Sequence, residues 1–452
     1  MKTSKALAFC GPLIFLSACS TGPTVTHQGQ SPNTKPAPQI LGAPVGFDDA
    51  TNGVVDNQTH QADKARFDQF ESVSDGLGPL FNGQSCRECH QSPVSGGVSQ
   101  VTELRVGHKG PQGQFQTPEI PINRGAEVIK GRTLVNQRAI CPNAAFPRVE
   151  IQERVPDAET IRTLRRTVGL LGDGYVEAVD DATLIAISDK QCKQSHGKIC
   201  GLPLRVPVLE SPGETRVGRF GWKSQQASLL SFSADAYLNE IGITNRLFPD
   251  EVTNLCNTVA EPNDRPGPDG LSDLDHFARF IRATKAPARD IDRAGTPAAR
   301  AGETLFDTIG CSGCHVATLT TAPPGTLING GKFAVPDALG NKTIHPYSDY
   351  LLHDVGTGDG IAVAMEEHYG KQVYKAQWQA FSPKDVAASA DRIRTAPLWG
   401  VRLHTTLMHD GASLTFRDAI LRHRGEAADA TKRFDKVSQA DQDSIIEFLR
   451  SL

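Results

Sequence analysis

The sequence predicts a mainly α chain of two related helical domains in tandem, the first carrying a β-containing insertion. Three observations lead there. A Leu-Phe pair stands ahead of Cys-x-x-Cys-His twice, as Leu80-Phe81 before Cys86-Arg-Glu-Cys89-His90 and as Leu305-Phe306 before Cys311-Ser-Gly-Cys314-His315. Each copy ends on a similar amphipathic run, Asp275-His-Phe-Ala-Arg-Phe-Ile-Arg282 and Asp443-Ser-Ile-Ile-Glu-Phe-Leu-Arg450. Between the first motif and Trp222 the pattern changes to short apolar runs broken by Gly and Pro, which reads as hairpins.

Along the chain, residues 1–18 read as an export signal. Two lysines precede an apolar stretch from Ala6 to Ala18, too short to span a membrane. Its end, Leu16-Ser17-Ala18-Cys19, resembles the lipobox of bacterial lipoproteins. That resemblance makes Cys19 the lipidated first residue of the mature protein, and Ser20 after it implies the outer membrane. Residues 19–45, rich in Thr, Pro, Gln and Gly, read as a flexible tether. The first domain is expected over 46–285 with its insertion at about 100–215, and the second over 290–452. Within the insertion, Thr183-Leu-Ile-Ala-Ile and Val206-Pro-Val-Leu are the strand candidates. Ser272-x-x-Asp275 and Ser438-x-x-Asp441 are N-cap patterns for the two closing helices. Ile445, Phe448, Leu449 and Leu452 then share one helical face.

Among 452 residues, 47 are basic and 51 acidic, for a net charge of −4, so no global basic field points to nucleic acid. The ten cysteines are more informative. Cys-x-x-Cys-His is the attachment sequence of c-type haem: two thiols add to the porphyrin vinyl groups and the adjacent histidine ligates iron. The competing readings are a thioredoxin-like redox pair or half a zinc site, and a zinc site needs a second cluster that neither motif has nearby. Two copies in matching repeat positions, behind an export signal, favour two covalently bound haems and make each domain cytochrome c-like. Cys141, Cys192, Cys200 and Cys256 remain, an even number that allows three pairings in an oxidising compartment. Cys192 and Cys200 bracket a short polar segment, which favours that pair and leaves Cys141 with Cys256.

Function then turns on the sixth ligand of each iron. A haem with two strong ligands transfers electrons, and one with an open position performs peroxide or oxygen chemistry. Mature methionine is scarce, only Met365 and Met408, so histidine is the larger pool.

The chain resembles the bacterial di-haem oxidoreductases described as peroxidases or thiol oxidoreductases, relatives of di-haem cytochrome c peroxidases. The segments that carry the resemblance include Gly76-Leu-Gly-Pro-Leu-Phe-Asn-Gly-Gln-Ser-Cys86, Phe220-Gly-Trp-Lys-Ser-Gln-Gln, Glu240-Ile-Gly-Ile-Thr-Asn245, Tyr347-Ser-Asp-Tyr-Leu-Leu-His-Asp354, Arg394-Thr-Ala-Pro-Leu-Trp399 and the run from Met408 to His423. It covers nearly all of 46–452. By this resemblance His423 is the second axial ligand of the His315 haem, with Met408 its rival. Trp222 matches the tryptophan between the two haems, where it relays electrons or is simply a core residue. Glu240 falls near the distal acid of the His90 haem, but the distal glutamine is missing and Phe232 stands at its spacing. The related peroxidases also bind calcium between their domains, near positions equivalent to His404 and Thr406. His353, Asp354, His409 and Asp410 are expected around the second haem.

The Arg162–Arg166 stretch reads as a solvated basic face, and His27 and His60 as solvated. The expected function is that of a membrane-tethered, periplasm-facing di-haem oxidoreductase of peroxidase type. Catalysis is at the His90 haem and electron transfer at the His315/His423 haem. Its partners are a small cytochrome or cupredoxin and an oxidant such as hydrogen peroxide. The alternative is a pure electron carrier with both irons six-coordinate.

Overall fold

Two helices cradle each Cys-x-x-Cys-His turn. The first pair is Asn57–Asp68 and Asp273–Ala283. Asp56 caps the former by accepting from the Thr59 N–H, and a capping box of Ser272 and Asp275 starts the latter. His60, Asp63 and Phe67 share one buried helical face. There Asp63 accepts from Arg279 and pairs with His276, each at 2.7 Å. The second pair is Pro297–Thr308, begun by Pro at its first turn, and Gln439–Leu449, capped by Ser438. Gly302 lets these two helices touch: a Cβ there would stand 1.9 Å from the Ser444 carbonyl oxygen. Ile445, Phe448, Leu449 and Leu452 are buried, as their spacing predicts.

The computed structural model describes residues 40–363 and 382–452. Cys10, Cys19, His27 and Met365 lie outside the described residues. Residues 39–452 group as one unit, and its largest apolar core joins residues of both halves, including Phe67, Tyr175, Phe280, Leu351 and Trp399. Among the described residues no helix is long and apolar enough to cross a membrane.

The insertion contains the expected hairpins. Thr102–Lys109 pairs antiparallel with Ile161–Arg166, from Thr102 opposite Arg166 to Gly107 opposite Ile161. Glu119–Ile122 pairs with Glu127–Lys130, and Arg205–Pro207 with Thr215–Val217. Small sheets also occur outside it: Leu41–Gly42 runs parallel to Lys342–Ile344, and Leu352–His353 pairs with Ile393–Arg394. Both cysteine pairs join as expected, Cys141 to Cys256 and Cys192 to Cys200.

Four expectations are corrected. Thr183-Leu-Ile-Ala-Ile belongs to a helix, Asp181–Gln194, because its buried residues Leu184, Ser188 and Gln191 recur at helical spacing. The two Leu-Phe pairs are not equivalent. Leu80–Phe81 is a strand paired with Arg138–Ala139, and it is Phe67 that lies against His90 as Phe306 lies against His315, at 6.3 and 6.1 Å between ring centres. His60 is buried and stacked on Phe280. Arg165 and Arg166 are buried, because strand alternation ends where the sheet meets the core.

Candidate functional site

Each motif is one tight turn, Cys86–Cys89 and Cys311–Gly313, closed by the His90 N–H donating to the Cys86 carbonyl and the His315 N–H donating to the Cys311 carbonyl, both at 3.0 Å. The turn places both thiols and the histidine toward one cavity. None of the four thiols is in a disulfide. Burial pushes Cys89 and Cys311 up to about 12, so neither is a thiolate nucleophile.

A cavity of about 430 Å³ is lined by Cys311, Cys314, His315, His423 and Met408. His315 Nδ1 bonds the Tyr347 carbonyl at 2.9 Å, and His423 Nδ1 bonds the Ala419 carbonyl at 2.8 Å. A ring nitrogen that donates to a carbonyl leaves the lone pair on Nε2, the form that ligates iron. Burial holds both rings neutral, His315 down at about 4, and the two lie near enough that protonating His423 would lower His315 further. His353 lines the same cavity, but Asp349 and Glu426 occupy its two nitrogens at 2.9 and 2.8 Å, so it is not free to ligate. His404 and His409 also line it, while Asp354 and Asp410 do not. Arg422 holds the Asp410 carboxylate.

A narrower cavity of about 140 Å³ is lined by Cys86, Cys89 and His90. His90 Nδ1 bonds the Gly97 carbonyl at 3.3 Å, and burial keeps its ring neutral, down at about 4. Apart from His90, no histidine or methionine lines this cavity among the described residues. Glu240 lines it from the last turn of Leu229–Ile241. That helix ends at Gly242, where φ is 79° and a Cβ would stand 2.5 Å from the Leu80 carbonyl. The close approach lets the Glu240 carbonyl accept from the Asn82 and Gly83 N–H groups, just before the motif. Burial, and then the charge of Glu103, hold the Glu240 carboxyl well above the usual carboxylate range. Phe232 lines the cavity where the glutamine was expected, and Gln225 lines it from another loop. Glu103, which accepts from Arg105 at 3.0 Å, and Gln225 were not foreseen. The alternation of Thr102–Lys109 carried a faint signal for the first pair, but nothing local marked which strand would reach the motif.

The two cavities share a wall: Trp222 and residues 166–169 contribute to it, with Arg166, Thr167, Val168 and Trp222 lining both sides. Trp222 is buried, and its Nε1 donates to the Arg166 carbonyl at 2.7 Å. Of the positions expected near calcium, the Thr406 carbonyl accepts from Arg166 at 2.6 Å.

The donor set fits haem at both places: paired thiols, an imidazole with Nε2 available, and buried polar atoms without partners on the linings. These are Ser85 Oγ and Ser233 Oγ in one cavity, Thr357 Oγ1 and His409 Nδ1 in the other, and Arg166 Nε between them. Two such centres across one wall define a two-centre redox protein. The chain belongs to the family described as "Di-haem oxidoreductase, putative peroxidase", whose model matches residues 147–452, and is thus a di-haem, peroxidase-like oxidoreductase. The first motif lies ahead of the matched residues. No curated protein matches. Among solved structures, the chain is similar to hydrazine synthase of Kuenenia stuttgartiensis pressurized with xenon (15% identity, 98% of this chain and 100% of that one, TM-score 0.37). It is also similar to a MauG-like protein associated with microbial copper homeostasis (13%, 92% and 94%, TM-score 0.36). A third is the diheme peroxidase BthA of Burkholderia thailandensis E264 (14%, 92% and 95%, TM-score 0.32).

Proposed function

We propose that this chain is a periplasm-facing lipoprotein, anchored through Cys19, that uses two covalently bound c-type haems to reduce hydrogen peroxide. One observation carries the reading, the asymmetry of the two cavities. His315 shares its cavity with further histidines, among them His423 with its Nδ1 on the Ala419 carbonyl, whereas His90 shares its cavity with a carboxylic acid and no further histidine or methionine among the described residues. The first arrangement suits electron transfer and the second suits chemistry.

Cys86 and Cys89 would hold one haem as thioethers and Cys311 and Cys314 the other, and His90, His315 and His423 are the residues that would ligate iron. Haem iron supplies one-electron exchange and, with an open position, a place for peroxide. The chain does the rest. Glu240, kept protonated by burial and by Glu103, gives its proton to a peroxide oxygen and is re-protonated afterwards, as H2O2, two electrons and two protons become two waters. Arg105 steadies Glu103. Trp222 stands in the electron path through the shared wall. The electrons come from a small periplasmic cytochrome or cupredoxin.

Electron paramagnetic resonance of the ferric protein tests this. One high-spin and one low-spin haem are expected, and His423→Ala should turn the second high-spin while both haems stay attached. Only low-spin signals in the ferric and half-reduced states, with no reaction toward peroxide, would make the protein an electron carrier instead. Cys19→Ser should release the protein from membranes, and a variant that stays bound overturns the anchor.

A further inference from the structure

The wall between the cavities carries a charge that the described residues leave unanswered. Arg166 ends the Ile161–Arg166 strand, is 5% exposed and lines both cavities. Its Nη1 donates to the Thr406 carbonyl at 2.6 Å and lies 3.1 Å from His404 Nδ1. Its backbone N–H donates to the His409 carbonyl at 2.8 Å. Its Nε has no partner among the described residues. No carboxylate among the described residues takes part. The neighbouring Arg165 has Asp359, which also serves Lys223. His404 supplies no anion either, since an imidazole is neutral or cationic, and burial and then the Arg166 charge hold it in the neutral form, down at about 3. Burial lowers Arg166 to about 10, so it stays a cation at neutral pH.

A buried cation without an anion is strongly unfavourable, and no described residue supplies the anion, a partner that a bound group can provide. That partner must be anionic, must reach a wall common to both cavities, and should match a planar guanidinium fork, as a carboxylate does. Each haem brings two propionate carboxylates. We propose that Arg166 is the counter-cation for haem propionates at the wall shared by the two cavities, in place of a calcium ion. The Thr406 carbonyl, one of the positions where calcium was expected, is already bonded to the guanidinium, and a second cation beside it would be repelled. The inference rests on the reading that both motifs carry haem.

Spectroelectrochemical titration of the two haems in the holoprotein tests it. Removing a nearby positive charge favours ferric iron. Arg166→Gln should therefore shift the reduction equilibrium of both haems toward the oxidised form by about tenfold, or 59 mV for one electron. Arg166→Lys, which keeps the charge, should stay within about threefold of wild type. In the wild type, EDTA or added calcium should move neither potential. Potentials unchanged in Arg166→Gln overturn the proposal, and a shift at one haem alone overturns the shared role. A calcium-dependent shift in the wild type also overturns it, and this arm holds even if the glutamine variant fails to fold. Haem content by pyridine haemochrome separates the two readings: a wild type with fewer than two haems per chain defeats the two-haem reading itself, and with it this one.

Discussion

Glu240 owes its protonation to two causes, burial first and the Glu103 charge second. Glu240→Gln should slow the reaction with peroxide by about 10²–10⁴-fold, with the high-spin spectrum of the His90 haem retained. An unchanged stopped-flow rate would remove Glu240 from the chemistry. Glu103→Gln removes the neighbouring charge that raises Glu240. The ionisation limb of the pH–rate profile should then move to lower pH, and a limb that stays put or rises argues against the pairing. At this scale the motif residues were legible in the sequence, because Cys-x-x-Cys-His is a local pattern with residue type and spacing fixed within five positions. His423 was reachable only through resemblance, since it meets His315 by tertiary folding. Glu103, Arg105 and Gln225 were not legible, because strand pairing and a distant loop bring them to the His90 cavity. Arg166 was misread as solvated, because a basic residue on a strand shows its side of the sheet only once the packing is known.

Elements were legible where capping and period agree. The closing helices at Asp273–Ala283 and Gln439–Leu449 have serine caps and one apolar face each, so their starts followed from the chain alone. The Asp181–Gln194 helix was missed because Ile185 and Ile187, β-branched neighbours of Leu184, suggested a strand, while the residues it buries are Leu184, Ser188 and Gln191. Gly302 was not singled out at all, for a glycine inside a helix announces a close contact only when the partner helix is in place. Its missing side chain sets the spacing between Pro297–Thr308 and Gln439–Leu449, and so the packing of Phe448 on Phe306, 5.2 Å apart, with Phe306 in turn against His315. Gly302→Ala should push these helices apart and lower stability by about 1–3 kcal/mol. Chemical unfolding of the holoprotein followed by far-ultraviolet circular dichroism measures it, and a midpoint equal to wild type would mean that the interface is slack.

At the scale of the whole molecule, one buried carboxylate connects distant parts of the chain. Asp359, with a fully buried side chain, reaches Arg165 on the insertion strand and Lys223 beside Trp222, each at 2.8 Å. The two cations hold its carboxyl well below the usual carboxylate range against the opposing effect of burial. Asp359→Asn leaves both cations buried without their anion and should cost about 3–5 kcal/mol near neutral pH. The pH dependence has a definite sign. The folded state releases this proton more readily than the unfolded chain, whose value is near the ordinary 3.8. The contribution is therefore fully present above the unfolded value and is lost as pH falls through the folded one. The stability difference between wild type and Asp359→Asn should be constant from pH 7 to about 5 and narrow below about 4. Urea midpoints for the two proteins across that range measure the difference. A gap that stays constant down to pH 3 would show that the Asp359 carboxylate is not held by Arg165 and Lys223, and that the wall between the cavities is braced by packing instead.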